Sequence, residues 1–256
     1  MISLNNGKIE VGKHFNGEMF IKNFGNQMKE NNEVEYEYNG LVEEDLAVIL
    51  IGNIIKLRNK KASLILNYIP YSRQERDTEN INVFSSFLDL LKNNYETTTL
   101  IGDIHSKDSL GQEINNHKLI VYQKHPIISI ADSEGFENDV IVYPDKGALK
   151  RYNGVDNLPH SIITFDKERV NGVVKSNKIN TSKINIHTKY NNLYVVDDIC
   201  SGGATFRFVA EAIKESGVKY NKLILLTQYM ERCAYETAYN KENISLYDEV
   251  IFEEKI

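Results

Sequence analysis

The chain has 256 residues, of which 41% are hydrophobic and 26% charged, proportions typical of a globular protein. A net charge of −6 argues against nucleic acid as the main partner, because phosphate backbones attract basic surfaces. No apolar run reaches the roughly 18–20 residues of a membrane span, the N-terminus lacks a signal-peptide pattern, and two cysteines exclude a four-cysteine metal site. We therefore expect a cytoplasmic protein with no nucleic-acid or membrane partner.

The first half of the chain begins with short alternating segments and continues as strands and helices. Alternation in KIEVG, EMFIKNF and EVEYEY predicts strands joined by Gly and Asn turns. Helical spacing of apolar residues predicts a helix over 41–58, and a continuous apolar run predicts a buried parallel strand over 62–69. A polar loop over 70–82, a helix over 83–94 and a strand over 97–105 follow.

The second half repeats this order. Strands are predicted in DVIVY, HSIITF, NLYVV and KLILLTQ, the second strand leads into a charged loop over 166–169, and a helix over 206–217 ends at Gly217. Strands that alternate with helices imply parallel sheets built from βαβ units. We predict an α/β fold with two similarly built domains, residues 1–115 and 116–256.

Charged residues follow five of the predicted strands. Ligands of open parallel sheets bind at the carboxyl ends of the strands, so these positions are candidate site residues. The segments are 71–76, 103–105, 144–147, 166–169 and 197–198.

A loop of small residues over 201–205 separates Asp197 and Asp198 from the following helix. Uncovered N–H groups at a helix N-terminus bind anions, most often phosphate, although this loop lacks the Walker A lysine. Two carboxylates beside such a loop fit sugar hydroxyls or Mg²⁺ next to a diphosphate, so a ribose phosphate satisfies both parts. A simple βα turn, with Asp and Ser capping the helix, is the alternative. The adjacent carboxylates raise the pKa of Cys200, which we therefore regard as a loop residue.

Several segments resemble, in order, the motifs of ribose-phosphate pyrophosphokinases (PRPP synthetases). VVDDICSGGAT resembles the ribose-phosphate motif of type I phosphoribosyltransferases, IPYSRQER the family's I-P-Y-x-x-Y-A-R-Q-D-R segment, and GDIHS its D-L-H-S. VIVYPDKGALKR resembles V-V-S-P-D-x-G-G-x-K-R, FDKER the K-x-R catalytic loop, and HFNGE an R-F-x-D-G-E segment with one residue missing. The resemblance covers most of the chain and implies two tandem phosphoribosyltransferase-like domains of type I.

This resemblance implies an enzyme, a diphosphotransferase. The family transfers the β,γ-diphosphoryl group of ATP to the anomeric hydroxyl of ribose 5-phosphate, giving PRPP and AMP, with Mg²⁺. The partners implied are these small molecules and further copies of the chain, in a dimer or hexamer. The first domain would hold ATP and the second the acceptor.

The resemblance also implies roles for single residues. Lys167, Arg169 and His105 would be catalytic, the two cations stabilising the migrating phosphoryl group. His105 and Asp145 would hold the metal. ATP would be held by Arg73, Gln74, Arg76, Phe15 and Glu18, and the acceptor by Asp197, Asp198, Ser201, Gly202, Gly203, Ala204 and Thr205.

Structural interpretations of the same residues stay open. Asp145 has the position of a helix N-cap, and a lone histidine such as His105 is most often structural. The arginines of 73–76 and the cations of 166–169 also fit solvated surface loops.

The acceptor loop departs from the family pattern D-D-x-x-D-T-x-G-T, because Ser201 and Gly202 replace an Asp and a Thr, while Thr205 is kept. Loss of the Thr donor weakens the grip on a terminal phosphate, or leaves room for one that continues into a second group, as in ADP-ribose. Transfer to ADP-ribose, for phage-type NAD reconstitution in a host cytoplasm, is thus the second hypothesis. A PRPP-consuming phosphoribosyltransferase is the third, and it leaves RQER and DIH without a role. A non-catalytic partner protein ranks lower, because Lys167, Arg169 and His105 are present.

Overall fold

The computed structural model describes residues 1–72, 83–103, 118–122, 124–131, 136–170, 173–236 and 238–255. The chain divides into two compact units, Met1–Gln123 and Lys124–Ile256. The sequence placed the boundary earlier, between residues 115 and 116. Strand β7 (Lys118–Tyr122) accounts for the difference, because it pairs in parallel with residues 97–101 of the first unit.

The first unit contains a sheet in the order β3-β2-β1-β4-β5-β6-β7. Strands β4 to β7 run parallel, and β1, β2 and β3 extend the sheet in antiparallel pairs. The strands are β1 (Ile2–Leu4), β2 (Gly7–Lys13), β3 (Met19–Lys22), β4 (Asn31–Tyr36), β5 (Lys61–Leu66), β6 (Thr97–Ile101) and β7.

Two helices of this unit, α1 (Val42–Leu57) and α2 (Val83–Asn94), lie where the apolar periodicity predicts them. A short 3-10 helix spans Gly25–Gln27. Helix α1 approaches Tyr95 closely at Gly52, where an added Cβ would lie 2.7 Å from the Tyr95 ring. Only glycine permits this contact, which also lets the Tyr95 hydroxyl donate to the Val48 carbonyl at 2.5 Å.

The second unit contains a sheet in the order β10-β9-β8-β11-β12-β13, parallel except for the β9–β10 pair. The strands are β8 (Val140–Tyr143), β9 (Ile162–Val170), β10 (Val173–Lys183), β11 (Lys189–Cys200), β12 (Lys219–Met230) and β13 (Glu249–Lys255). The helices are α3 (Pro126–Ala131), α4 (Lys146–Tyr152), α5 (Ala204–Glu215), α6 (Arg232–Glu236) and α7 (Ala238–Ile244), with a 3-10 helix over Phe136–Asn138.

Helices cover both faces of this second sheet. Alternate residues of β8, β11 and β12 pack into two apolar clusters, one containing Val195 with Val209 of α5, and the other Val196 with Ile127 of α3 and Tyr152 of α4. Burial on both faces explains why these strands have continuous apolar sequences. The predicted α/β fold is confirmed, and the positive φ of Gly217 (74°) after α5 confirms the predicted helix end.

The charged segment over 166–169 differs from the prediction. The sequence placed it in a loop, whereas β9 continues through Val170 and pairs with β10, Lys167 lying opposite Asn177. The ladder satisfies backbone groups of both strands, so a long β9–β10 hairpin forms from sequence that carries few apolar residues. Among the described helices, none has the length and apolarity needed to span a bilayer.

The core of the first unit predicts a stability difference between two leucines. Leu64 in β5 is fully buried, so Leu64→Ala should lower the free energy of unfolding by about 2–5 kcal/mol in urea titrations. Leu57 in the same unit is 75% exposed, and Leu57→Ala should cost less than about 0.5 kcal/mol. Equal losses in the two variants would contradict this packing.

Candidate functional site

Two neighbouring parallel strands, β8 and β11, deliver the predicted acidic residues to one edge of the second sheet. Val142 pairs with Val195, so the residues that follow β8 lie level with the last residues of β11. Asp145 follows β8, and Asp197 and Asp198 lie near the end of β11. Since carboxyl ends of parallel strands form a common edge, the structure brings these three carboxylates into one region.

The two adjacent carboxylates share one cation. The Arg151 Nη1 atom, on α4, lies 3.2 Å from Asp197 Oδ1 and 2.8 Å from Asp198 Oδ1. The exposed fractions of these side chains are 7% for Arg151, 16% for Asp197 and 7% for Asp198. Little water reaches the cluster, so its charges interact far more strongly than surface ion pairs do.

Burial raises the pKa of Asp197 well above its usual value, and the charges of Asp198 and Asp145 raise it further. The Arg151 guanidinium acts in the opposite direction, because it favours the ionised carboxylate. The surroundings of Asp197 therefore favour its protonated form. A further cation or a hydrogen-bond donor placed here would stabilise the ionised form.

A buried histidine fixes the backbone at Asp197. His125 is 1% exposed, its Nδ1 accepts from the Ile127 N–H at 3.0 Å, and its Nε2 lies 2.9 Å from the Asp197 carbonyl oxygen. Because a carbonyl only accepts, Nε2 carries the ring proton and donates a hydrogen bond to the backbone carbonyl of Asp197. Burial lowers the pKa of His125 to about 4, so the ring is neutral near pH 7.

Asp145 is the N-cap of α4. Its Oδ1 accepts from the Ala148 N–H at 3.0 Å, as the structural interpretation of this residue expected. A role in metal binding stays a prediction.

The small-residue loop runs from the end of β11 to α5. The N-cap of α5 is Gly203, which has a left-handed φ of 75° and makes no side-chain cap bond. Neither Asp nor Ser occupies this N-cap, so the alternative of an ordinary capped turn is wrong on that point. Ala204 and Thr205 lie in the first turn of the helix. The helix therefore begins at Ala204, two residues before the predicted start at residue 206.

Cys200 is not suited to act as a nucleophile. It is fully buried at the end of β11, and burial, followed by the charge of Asp197, raises its pKa to about 12. A thiol with this pKa stays protonated near neutrality and does not attack. The sequence predicted the raised pKa from the carboxylates, and the structure adds burial as the larger cause.

The other predicted site residues lie away from Asp197 and Asp198 in the sequence, and some lie outside the described residues. Phe15 and Glu18 lie in the turn between β2 and β3 of the first unit, where Phe15 is fully exposed and the Glu18 N–H donates to Asn16 Oδ1 at 3.1 Å. Lys167 and Arg169 lie on β9, of which only the backbone is described at these positions. Arg73, Gln74, Arg76 and His105 lie outside the described residues.

Oxygen ligands for a hard cation are present at the sheet edge. Over the described ranges, no group of three or more His, Cys, Asp or Glu side chains is arranged to hold a metal ion. Mg²⁺ usually binds one or two carboxylates together with substrate phosphates and water, so it does not need such a group. The raised pKa of Asp197 fits a divalent cation held in this way, because a nearby cation would favour the ionised carboxylate.

Sequence reasoning missed three residues that support the site: Arg151, His125 and Asn243. The Asn243 Nδ2 donates to the Gly202 carbonyl at 2.7 Å. One signal for Arg151 was available, because two adjacent carboxylates on a buried strand require a nearby cation. For His125 and Asn243 the partner is a backbone carbonyl, which leaves no trace in the sequence.

No family model matches the chain. It is 26% identical to the ribose-phosphate pyrophosphokinase of Pyrococcus abyssi over 220 residues, covering 82% of this chain and 73% of that protein. For the enzyme of the same name from Thermococcus kodakarensis, identity is 26% over 217 residues, covering 83% and 74%. A solved phosphoribosylpyrophosphate synthetase from Mycobacterium smegmatis has a TM-score of 0.68 at 14% identity, over 97% of this chain and 86% of that one. The sequence matches support the predicted family resemblance, and the structural match shows the fold.

The shared cation predicts a stability effect. Arg151→Met should lower the free energy of unfolding by about 3–5 kcal/mol at pH 7, because it removes the guanidinium that both buried carboxyl groups contact. Arg207→Met removes the exposed ion pair with Glu211 and should cost less than about 1 kcal/mol. Urea unfolding of both variants measures the difference, and a small loss for Arg151→Met would show that the carboxylates are solvated.

The buried histidine predicts a pH effect on stability. Its pKa is 6.5 when unfolded and about 4 when folded, so the unfolded state binds more protons between these values. Stability from this group is complete above pH 6.5 and is lost as the pH falls to 4, by about 3 kcal/mol in total. The raised pKa of Asp197 acts in the opposite direction, since its contribution decreases as pH rises.

A variant of His125 measures how much this residue contributes to the pH dependence of stability. His125→Gln should lose less stability than wild type as the pH falls from 6.5 to 4 in metal-free buffer, whereas His187→Gln, at an exposed histidine, should follow the wild-type curve. Parallel curves for wild type and His125→Gln would refute the assignment.

Proposed function

We propose that this protein transfers the β,γ-diphosphoryl group of ATP to the anomeric hydroxyl of ribose 5-phosphate, forming PRPP and AMP. The observation that carries the proposal is the buried Asp197–Asp198 pair, fixed by Arg151 and followed by a bare loop that opens α5. The names of the two archaeal relatives, matched over more than 80% of this chain, point to the same reaction.

The acceptor is bound through its two polar ends. Carboxylates accept hydrogen bonds from the ribose hydroxyls, and in this proposal Asp197 and Asp198 supply those acceptors. The 5-phosphate lies against the N–H groups of the loop over 201–205, where the start of α5 adds a positive partial charge. A ribose phosphate thus uses both halves of the site.

The reaction is an in-line substitution at the β-phosphorus of ATP. The anomeric oxygen forms a bond to this phosphorus. The bond from the phosphorus to the oxygen that joins the α- and β-phosphates breaks, and AMP leaves with the electron pair. The hydroxyl proton passes to water. Lys167, Arg169 and His105 stabilise the charge that spreads over the transferring group.

Mg²⁺ and ATP are the cofactor and co-substrate of this proposal. Asp145 and His105 hold the ion together with the carboxylates of β11, and bound Mg²⁺ neutralises phosphate charge. Arg73, Gln74 and Arg76 hold the ATP phosphates through charge-assisted bonds. Phe15 and Glu18 lie near the adenine in a homo-oligomer, a dimer or hexamer, in which a second copy supplies the rest of the nucleotide site.

ADP-ribose is the second candidate acceptor. The observation in its favour is that Gly202 and Gly203 carry no side chains at the phosphate end of the site, and Gly203 makes no side-chain bond to α5. A phosphate that meets no side chain at these two positions has room to continue into a second phosphate and nucleoside. The chemistry at the anomeric hydroxyl is unchanged.

Release of AMP tests the proposal. The protein with ATP and Mg²⁺ should release AMP when ribose 5-phosphate is added, and the same assay with ADP-ribose decides the acceptor. Lys167→Ala should lower kcat by about 10²–10³-fold, as expected for loss of one charge-stabilising donor. Lys183→Ala, at an exposed lysine of β10, should retain wild-type activity.

Silence with both acceptors would reject the diphosphotransferase proposal. Release of pyrophosphate from PRPP and a base, without ATP, would instead favour a phosphoribosyltransferase. Equal activity of the Lys167 and Lys183 variants would show that Lys167 is a surface residue.

A further inference from the structure

Three carbonyl groups in or beside the small-residue loop, those of Cys200, Gly202 and Gly203, accept hydrogen bonds from within the protein. The Cys200 carbonyl accepts from the Glu231 N–H at 2.9 Å, where β11 meets the end of β12. The Gly203 carbonyl accepts from the Arg207 N–H at 3.0 Å, as the first bond of α5. Both bonds are made by the backbone and follow from the secondary structure itself.

The carbonyl of Gly202 is held differently. It accepts from Nδ2 of Asn243, a side chain on α7 that is 41 residues away in sequence and 1% exposed. A carbonyl only accepts, so the amide nitrogen must face it, and the orientation of the Asn243 amide is fixed. Of these three carbonyls, that of Gly202 depends on a side chain.

Holding a carbonyl also orients the next N–H group. The peptide bonds of the described residues are trans, and in a trans peptide the C=O and the following N–H point in opposite directions. The Asn243 bond therefore directs the Gly203 N–H away from α7. In the same way, the Cys200 and Gly203 carbonyls direct the N–H groups of Ser201 and Ala204 away from their own partners.

The Gly202–Gly203 peptide is the one that most needs this restraint. Glycine occupies both signs of φ with little cost, so a peptide between two glycines can rotate easily. Gly203 already has a φ of 75°, and no side chain at either position restricts the plane. Without a partner on the Gly202 carbonyl, the Gly203 N–H would not keep one direction.

Asn243 makes this bond at a cost to its own second polar atom. Within the part of the chain that the structure describes, the buried Asn243 Oδ1 has no hydrogen-bond partner. An unsatisfied buried acceptor is destabilising, and an apolar side chain of the same size would avoid it. Packing alone therefore does not account for an amide at this position, whereas the donor to Gly202 does.

We propose that Asn243 is a positioning residue for the acceptor phosphate, which it serves by locking the Gly202–Gly203 peptide with its N–H toward the ligand. This inference rests on the proposed function of the loop. It assigns to α7 a part in acceptor affinity, and none in binding ATP.

Asn243→Leu tests whether the side chain positions the loop or only fills space. Leucine has a similar size but lacks both the Nδ2 donor and the Oδ1 acceptor of the amide. The variant should unfold at a urea concentration close to that of wild type, because removal of the unsatisfied Oδ1 offsets the lost bond to the Gly202 carbonyl. Its KM for the acceptor should nevertheless rise about 2- to 10-fold, as for loss of one hydrogen bond. Its KM for ATP should stay within about twofold.

Asn138→Leu is the matched control. Its Nδ2 donates to the Lys189 carbonyl at 3.1 Å, at the opposite end of β11 from the loop. This variant should keep both KM values. Stabilisation against heat by ribose 5-phosphate or ADP-ribose alone, without ATP, gives a second readout that does not need turnover, and it should weaken in Asn243→Leu only.

The outcomes separate the two proposals. An Asn243→Leu protein with unchanged acceptor KM and unchanged heat stabilisation would overturn the positioning role, whatever the reaction is. A wild-type protein that is stabilised by the acceptor but releases no AMP would overturn the diphosphotransferase proposal alone. Equal increases in both KM values would show a general structural effect and would also reject the role of Asn243.

Discussion

The second unit depends on one electrostatic constraint, which is that two neighbouring carboxylates are buried on one strand. Asp197 and Asp198 are adjacent in sequence, so their charges cannot separate. Arg151 resolves this by bonding both, and it reaches them because α4 starts directly after β8, the strand beside β11. Buried ion pairs seldom add net stability compared with apolar residues. Their presence at the carboxyl end of β11 supports the proposed role of the pair as acceptors for a ligand.

Apart from Arg151, three neutral groups support the backbone and the carboxylates of the site. His125 holds the Asp197 carbonyl, Asn243 holds the Gly202 carbonyl, and the Asp198 N–H donates to Asp197 Oδ1 at 3.0 Å. A neutral support adds no charge to a site that already contains three carboxylates. It also keeps its hydrogen bond when a charged ligand arrives or leaves, because it need not gain or lose a proton. The backbone of the site is therefore held independently of what is bound.

Apolar patterning predicted those parts of the fold that bury continuous or periodic apolar surface. Helices α1 and α2 and strands β8, β11 and β12 have this property, whereas β10 (VVKSNKINTSK) and β13 (EVIFEEK) carry many polar residues at sheet edges and were missed. The short helices α6 and α7 span too few residues for a periodic signal. In the site, Asp197 and Asp198 near the end of β11 were predicted from the sequence around them. Arg151, His125 and Asn243 were not, since their partners lie 46, 72 and 41 residues away.

The left-handed conformation of Gly203 limits the substitutions through which the acceptor preference can change. At the phosphate end of the proposed site, N–H groups of the main chain would supply donors beside the Ser201 and Thr205 hydroxyls, and exchanging loop side chains leaves the N–H donors in place. Most replacements at Gly203 would instead strain the backbone, since its φ of 75° disfavours residues with a Cβ. Variation that retunes the pocket is thus expected behind the loop, on α6, α7 and the end of β12. Substrate range would then drift through residues that never touch a substrate.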